Sequence, residues 1–211
     1  MKKWLKNGRG HIAAACYLAA LLCWLTLGTV RLAGDGIASL RGLQPETALA
    51  AADFALVDLT PVNGVLSCAS ADPQMHWANA AGIRVRTVTL RARYDKLPQE
   101  ICLYYKLGEQ TDFTRAQRVF PKENADGSYS FFLPRTDVTA LRLDVCSAYC
   151  VISDFSLTLN TPVPFWRYYL PGWWGAFQLL LYPGLAASAA SLVHQAWLLR
   201  RKRGGAPADN G

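Results

Sequence analysis

A run of 25 residues without a charged side chain, positions 175–199, constrains this chain more than any other stretch. It is entered through the aromatic segment 163–174, with Phe165-Trp166-Arg167-Tyr168-Tyr169 and Trp173-Trp174, and is left at Arg200-Arg201-Lys202-Arg203. A bilayer core of roughly 30 Å is spanned by about 20 apolar helical residues, so the run is long enough to cross with some tilt. Tyr and Trp favour the headgroup level, and clustered Lys and Arg favour the cytoplasmic side. The aromatic end is therefore expected outside, with the basic tail 200–211 inside.

A second uncharged run, 12–30, follows the basic leader 1–11, whose Lys2 and Lys3 are expected to hold the N-terminus in the cytoplasm. Its length exceeds a secretory h-region, and Val30-Arg31-Leu32-Ala33-Gly34 makes a poor cleavage site, so a retained anchor is expected. Both flanks agree: two transmembrane helices, both termini cytoplasmic, and the central residues presented outside the cell membrane. Ala15 with Ala19, Gly184 with Ser188 and Ala187 with Ser191 offer small-residue faces for close helix contact. The net charge of +7 divides into +4 over residues 1–30, −1 over 31–164 and +4 over 165–211. The excess sits beside the apolar runs, where the lipid bilayer is its partner, and a nucleic-acid surface on the central domain is excluded.

Residues 31–53 are Ala- and Gly-rich and read as a stalk. Residues 54–162 read as an all-β sandwich, because short runs rich in Val, Leu, Thr, Tyr and Phe alternate with turn residues. Strands are expected at 54–59, 65–69, 83–94, 101–107, 117–120, 128–133, 140–145 and 151–159. Along 83–94 the apolar set is Ile83 and Val85, then Val88, Leu90, Ala92 and Tyr94. The phase slips by one residue, which demands a bulge or a strand break near Thr87. In 140–145, Leu141, Leu143 and Val145 point inward, and Arg142 and Asp144 outward.

Cys16 and Cys23 lie within the first apolar run. Cys68, Cys102, Cys146 and Cys150 lie in the exported part, where oxidation is permitted; of the three pairings the favoured one is Cys146–Cys150 with Cys68–Cys102, and four buried free thiols are the alternative. No metal is expected: Cys-x3-Cys is a loose spacing and His76 is the only histidine between the two apolar runs. No cofactor motif, phosphate-binding loop or nucleophile elbow is present. Asp58, Asp72, Asp144 and Asp154 are scattered, and an exported hydrolase would need two of them to meet in a cleft.

The densest mixture of polar and aromatic groups is Ala71-Asp72-Pro73-Gln74-Met75-His76-Trp77-Ala78-Asn79. A sugar presents an apolar C–H face and a rim of hydroxyls. Trp77 is the candidate for the first, and Asp72, Gln74, His76 and Asn79 for the second; a core tryptophan behind a polar turn is the alternative. Tyr104, Tyr105 and Tyr149 are weaker candidates, since strand aromatics commonly pack inward.

Asp72-Pro73-Gln74 and Leu141-Arg142-Leu143-Asp144, the latter ahead of the last strand and an apolar helix, resemble a recurring bacterial module. It is similar to the galactose-binding-like β-sandwiches exposed by membrane proteins of cell-surface polysaccharide assembly, over about residues 54–160. The resemblance implies a jelly-roll-like sandwich and glycan contact, without assigning a binding residue. This sequence departs from that setting in carrying no multi-span or glycosyltransferase portion. The expected function is a membrane-anchored, non-catalytic accessory or binding module for cell-surface glycan or its assembly machinery. The alternative is a structural subunit that docks onto another membrane protein.

Overall fold

Alternating apolar residues and frequent turns give a mostly-β central unit between two long apolar helices. The computed structural model describes residues 2–147 and 149–203, the side chains of 2–10, 202 and 203 excepted. The tail 204–211 and the side chains of Lys2, Lys3, Lys202 and Arg203 lie outside the described residues. Two units are distinguished, residues 1–34 with 164–211, and residues 35–163.

The first unit is built from α1 (Lys2–Leu40), as far as residue 34, and α2 (Trp173–Arg203). Within these helices, His11–Leu40 and Trp173–Arg201 are long and apolar enough to cross a membrane. Leu18, Leu22, Leu185 and Val193 are all exposed. The Tyr17 hydroxyl of α1 donates to the Leu180 carbonyl of α2 (3.0 Å), and Trp24 Nε1 donates to the Tyr169 carbonyl (2.9 Å) in the turn that precedes α2. Pro183, inside α2, has no N–H to offer the Leu179 carbonyl; the Tyr17 hydroxyl bonds the neighbouring carbonyl, that of Leu180. Gly28 lies close against the turn before α2, since a Cβ there would lie 2.7 Å from the Tyr169 ring and 3.0 Å from the Tyr168 carbonyl. Of the expected small-residue positions, Gly184 faces the Tyr17 hydroxyl and Ala187 is buried.

The second unit holds twelve strands. These are β1 (Thr47–Leu49), β2 (Ala55–Val57), β3 (Leu59–Val62), β4 (Val65–Cys68), β5 (Gln74–Ala78) and β6 (Thr87–Tyr94). They continue with β7 (Cys102–Leu107), β8 (Arg118–Val119), β9 (Lys122–Glu123), β10 (Tyr129–Phe132), β11 (Val138–Asp144) and β12 (Val151–Leu159). One sheet has the order β3-β4-β12-β6-β10-β9, with β1 also on β12; the other is β2-β5-β11-β7-β8. Every pairing is antiparallel. The two sheets share one core, with Leu66, Val88, Leu90, Phe131 and Leu157 from the first meeting Met75, Leu103, Leu141 and Leu143 from the second. Each such side chain contributes about 1.5–3 kcal/mol by leaving water.

Two left-handed residues shape the sheets. Asp58 (φ 55°) turns the chain from β2 in one sheet to β3 in the other. Asp154 (φ 52°) lies in a bulge where the pairing of β12 with β6 shifts between Ser153 and Ser156. The phase slip expected near Thr87 coincides with the start of β6: Val85 precedes the strand, and Val88 and Leu90 continue the core from within it. The segment expected as a stalk is helical to Leu40, and then supplies β1 to the sheet.

Candidate functional site

Strand β5 alternates polar with apolar residues, so Gln74 and His76 leave the core while Met75 and Trp77 enter it. The register then fixes their neighbours across the five-stranded sheet. His76 lies opposite Arg142 on β11, Arg142 opposite Tyr104 on β7, and Tyr104 opposite Arg118 on β8. The adjoining row is Gln74, Asp144 and Cys102. Four strands thus present one continuous outer row of planar polar groups and a phenol ring.

The row is tied together by hydrogen bonds. Gln74 is the hinge between two predicted residues: its Nε2 donates to Asp72 Oδ2 (2.7 Å), and its Oε1 lies 2.9 Å from His76 Nε2. Arg142 makes a two-pronged contact with Asp144, Nε to Oδ1 at 2.7 Å and Nη2 to Oδ2 at 2.8 Å, and reaches Asp72 at 3.3 Å. The same guanidinium stands 5.0 Å from the centre of the Tyr104 ring. Such charge-assisted, two-pronged contacts are geometrically specific as well as strong. Phe113 borders the row, edge-on to His76 at 5.5 Å and with Lys106 Nζ 4.4 Å from its ring centre. At the far side Arg118 stacks over the exposed ring of Phe120 and pairs with Glu100 at 3.1 Å.

Electrostatics follow from this crowding. Burial, then the Arg142 charge, lowers the His76 imidazole below its ordinary value of 6.5, so the ring stands neutral at neutral pH. Burial raises the Asp144 carboxyl above its ordinary value, against the opposing pull of Arg142. The enclosed pair Arg142 and Asp144 is held in one arrangement, because either would leave an unpaired polar group if it moved, whereas the Asp72 side chain is exposed to water.

Of the five residues expected to contact sugar, Asp72, Gln74 and His76 are brought together, and two are not. Trp77 packs against the core, since strand alternation sends it to the inner face. Asn79 is a turn clamp: its Nδ2 donates to the carbonyls of Ile83 and Val138, both at 2.7 Å, and its Oδ1 accepts from the Ile83 N–H. Tyr105 also packs against the core and Tyr149 is exposed. Arg142 and Tyr104 stand at the centre of the row. The alternation of 140–145 had already turned Arg142 outward, but only cross-strand register reveals what it meets.

Among the described residues no disulfide joins any of the six cysteines. Cys68 lies with Cys146 and Cys150, whereas Cys102 points to Asp144, 3.7 Å away on the outer face. The expected Cys68–Cys102 pair is therefore corrected: one sulfur belongs to the core and the other to the outer row. Of the four carboxylates considered for hydrolysis, Asp72 and Asp144 share Arg142, while Asp58 and Asp154 serve turns and bulges.

No protein-family profile matches the chain, and no curated protein matches it as a relative. Solved structures resemble it at low similarity. One belongs to a study of a low-affinity xylan-binding module, CBM86, from Roseburia intestinalis; it has 17% identity and a TM-score of 0.40, over 55% of this chain and 94% of that one. A β-1,3-glucan-binding CBM6 from Bacillus halodurans has 8% identity and a TM-score of 0.34, over 55% and 96%. CsCBM6-3 from Clostridium stercorarium, in complex with cellobiose, has 10% identity and a TM-score of 0.30, over 57% and 95%. At these scores the likeness assigns no ligand to this chain.

Proposed function

We propose that the protein is a membrane-anchored, non-catalytic module that binds glycan at the outer face of the sheet β2-β5-β11-β7-β8. The observation that carries this reading is the row His76, Arg142, Tyr104 and Arg118, running across four neighbouring strands with Gln74 and Asp72 beside it. Sugar hydroxyls are matched by planar donors and acceptors, which imidazole, amide, guanidinium and carboxylate supply. The apolar side of a pyranose is matched by rings, here Tyr104 and Phe113. Because the polar groups already hold each other, little side-chain freedom remains to be lost on binding, and preorganisation of this kind favours affinity. The same mutual pairing argues against hydrolysis: Asp144 engages Arg142 through both carboxylate oxygens, so it is not free to hold a water or a leaving group.

Anchoring rests on the two apolar helices, whose exposed side chains need a hydrocarbon or protein cover. With basic residues such as Arg200 and Arg201 at the end of α2, the orientation favoured has both termini in the cytoplasm and the β unit outside.

The test is calorimetric titration of the full chain in detergent with a panel of neutral and acidic envelope oligosaccharides. Saturable heat is expected, weakened at least tenfold (about 1.4 kcal/mol) in Tyr104→Ala. Silence across the panel would remove the glycan reading and leave the structural-subunit alternative in its place.

A further inference from the structure

We propose that Cys68, Cys146 and Cys150 form a three-thiolate site for a thiophilic d10 cation, of the class of zinc(II) or copper(I). The inference is independent of glycan binding, since these sulfurs sit in the core and not on the outer row.

Topology brings the three together. Cys68 ends β4, Cys150 immediately precedes β12, and the two strands pair next door through Val151 and Ser67. The backbone is clamped at that point by Cys68 N–H donating to the Cys150 carbonyl at 3.0 Å. Cys146 follows β11 in the segment that carries the chain from one sheet to the other. Sequence spacing hides the cluster, because 78 residues separate Cys68 from Cys146.

The geometry is that of a donor set. The sulfurs lie 3.0 Å (Cys146 to Cys150), 3.4 Å (Cys68 to Cys146) and 3.5 Å (Cys68 to Cys150) apart, all three residues buried. A cation about 2.3 Å from each sulfur would stand roughly 1.3 Å out of their plane, capping a pyramid with one position open. A tetrahedral thiolate site has sulfurs about 3.8 Å apart, so each pair need open by less than about 1 Å. A disulfide would use two of the three sulfurs and leave the convergence of the third without a role. Thiolates are the ligand type that soft d10 ions select.

Binding balances as three thiols losing three protons to solvent while one cation enters. With zinc(II) the site carries one net negative charge, and with copper(I) two, so the low-dielectric surroundings favour zinc. Coordination number argues the other way: three donors are at hand, and zinc would take a fourth.

The experiment uses the full chain, purified in detergent under argon without chelator, with bound metals measured by mass spectrometry. Apo protein is then titrated with cobalt(II) as the spectroscopic stand-in for zinc, and with copper(I) against a chromophoric copper(I) chelator. One equivalent of bound cation is expected, with an intense sulfur-to-cobalt charge-transfer band in the near ultraviolet if zinc is the natural occupant. Out-competition of the chelator without a stable cobalt band identifies copper(I). Cys68→Ser and Cys150→Ser should abolish binding, while Cys102→Ser and the double change Cys16→Ser with Cys23→Ser keep it. Should the core variants fail to fold, the wild-type titration decides alone. No band and no copper capture, or a Cys146–Cys150 disulfide in peptide mapping of the argon-purified chain, overturns the proposal.

Discussion

Asn160 holds a φ of 56° and buries an amide that serves three backbone groups. It accepts from the Arg86 N–H at 2.9 Å and donates to the carbonyls of Arg84 (2.8 Å) and Pro45 (3.0 Å). Asparagine suits the position twice, tolerating the left-handed backbone and reaching both carbonyls. Asn160→Ala removes all three bonds and strands their partners, so a loss of about 2–4 kcal/mol is expected in denaturant unfolding of the full chain. A loss below about 1 kcal/mol would mean that water replaces the amide. His76 gives a second expectation. Arg142 lies opposite its ring, with Lys106, Asp144, Gln74 and Phe113 nearby, and its imidazole is held below 6.5. The unfolded chain then binds the proton more readily than the folded one, so stability rises with pH through the window that closes near 6.5. Histidine NMR should show a signal, absent in His76→Gln, titrating below 6.5; a midpoint above 6.5 would reverse the sign and the argument.

At the level of elements, the two apolar helices depend on small residues and on ring donors at their meeting points. Gly28→Leu would drive a branched side chain into the Tyr169 ring and the Tyr168 backbone, and only the ring can yield. The expected result is a lower thermal aggregation midpoint in detergent, whereas Gly34→Leu, with open space at its Cβ, should leave that midpoint nearly unchanged. Equal midpoints for the two variants would show that the helices do not rely on this approach. Strands such as β11 and β12 were legible because long alternation has only one reading. Strand β5 was not: Gln74-Met75-His76-Trp77-Ala78 alternates over only five residues, inside a polar stretch that also resembles a turn. Missing it left Trp77 open between core and sugar contact, because the polar–apolar mixture was read as one cluster when the pleat divides it between two faces. The neighbours of His76 were beyond sequence altogether, since 66 residues separate it from Arg142 and only register joins them. The local structure of 31–53 was not legible for a different reason. The Ala- and Gly-rich composition of 31–53 carries no helix signal of its own, yet α1 continues to Leu40, with Asp35 paired to Arg135 at 2.8 Å.

For the whole molecule, the orientation argued from charge can be tested directly. A fluorescent protein fused after residue 211 should fluoresce in the cytoplasm, and Asp126→Cys should react with a membrane-impermeant maleimide from outside intact cells. Protection of that cysteine, with labelling only after permeabilisation, would turn the β unit inward. One feature of the topology bears on how such a chain is made. The last strand, β12, is hydrogen-bonded to β1, β4 and β6, so the larger sheet has no centre until it arrives. Between Tyr94 and Val151 a ribosome adds roughly 57 residues, a delay of about 3–11 s at ordinary elongation rates. Throughout that interval the nascent chain carries unpaired strand edges, and the apolar run 175–199 is translated almost as soon as β12 is complete. Folding of the β unit and release of the second helix from the ribosome are thereby compressed into one late event, and a polypeptide stalled before residue 151 is a substrate for chaperones and proteases.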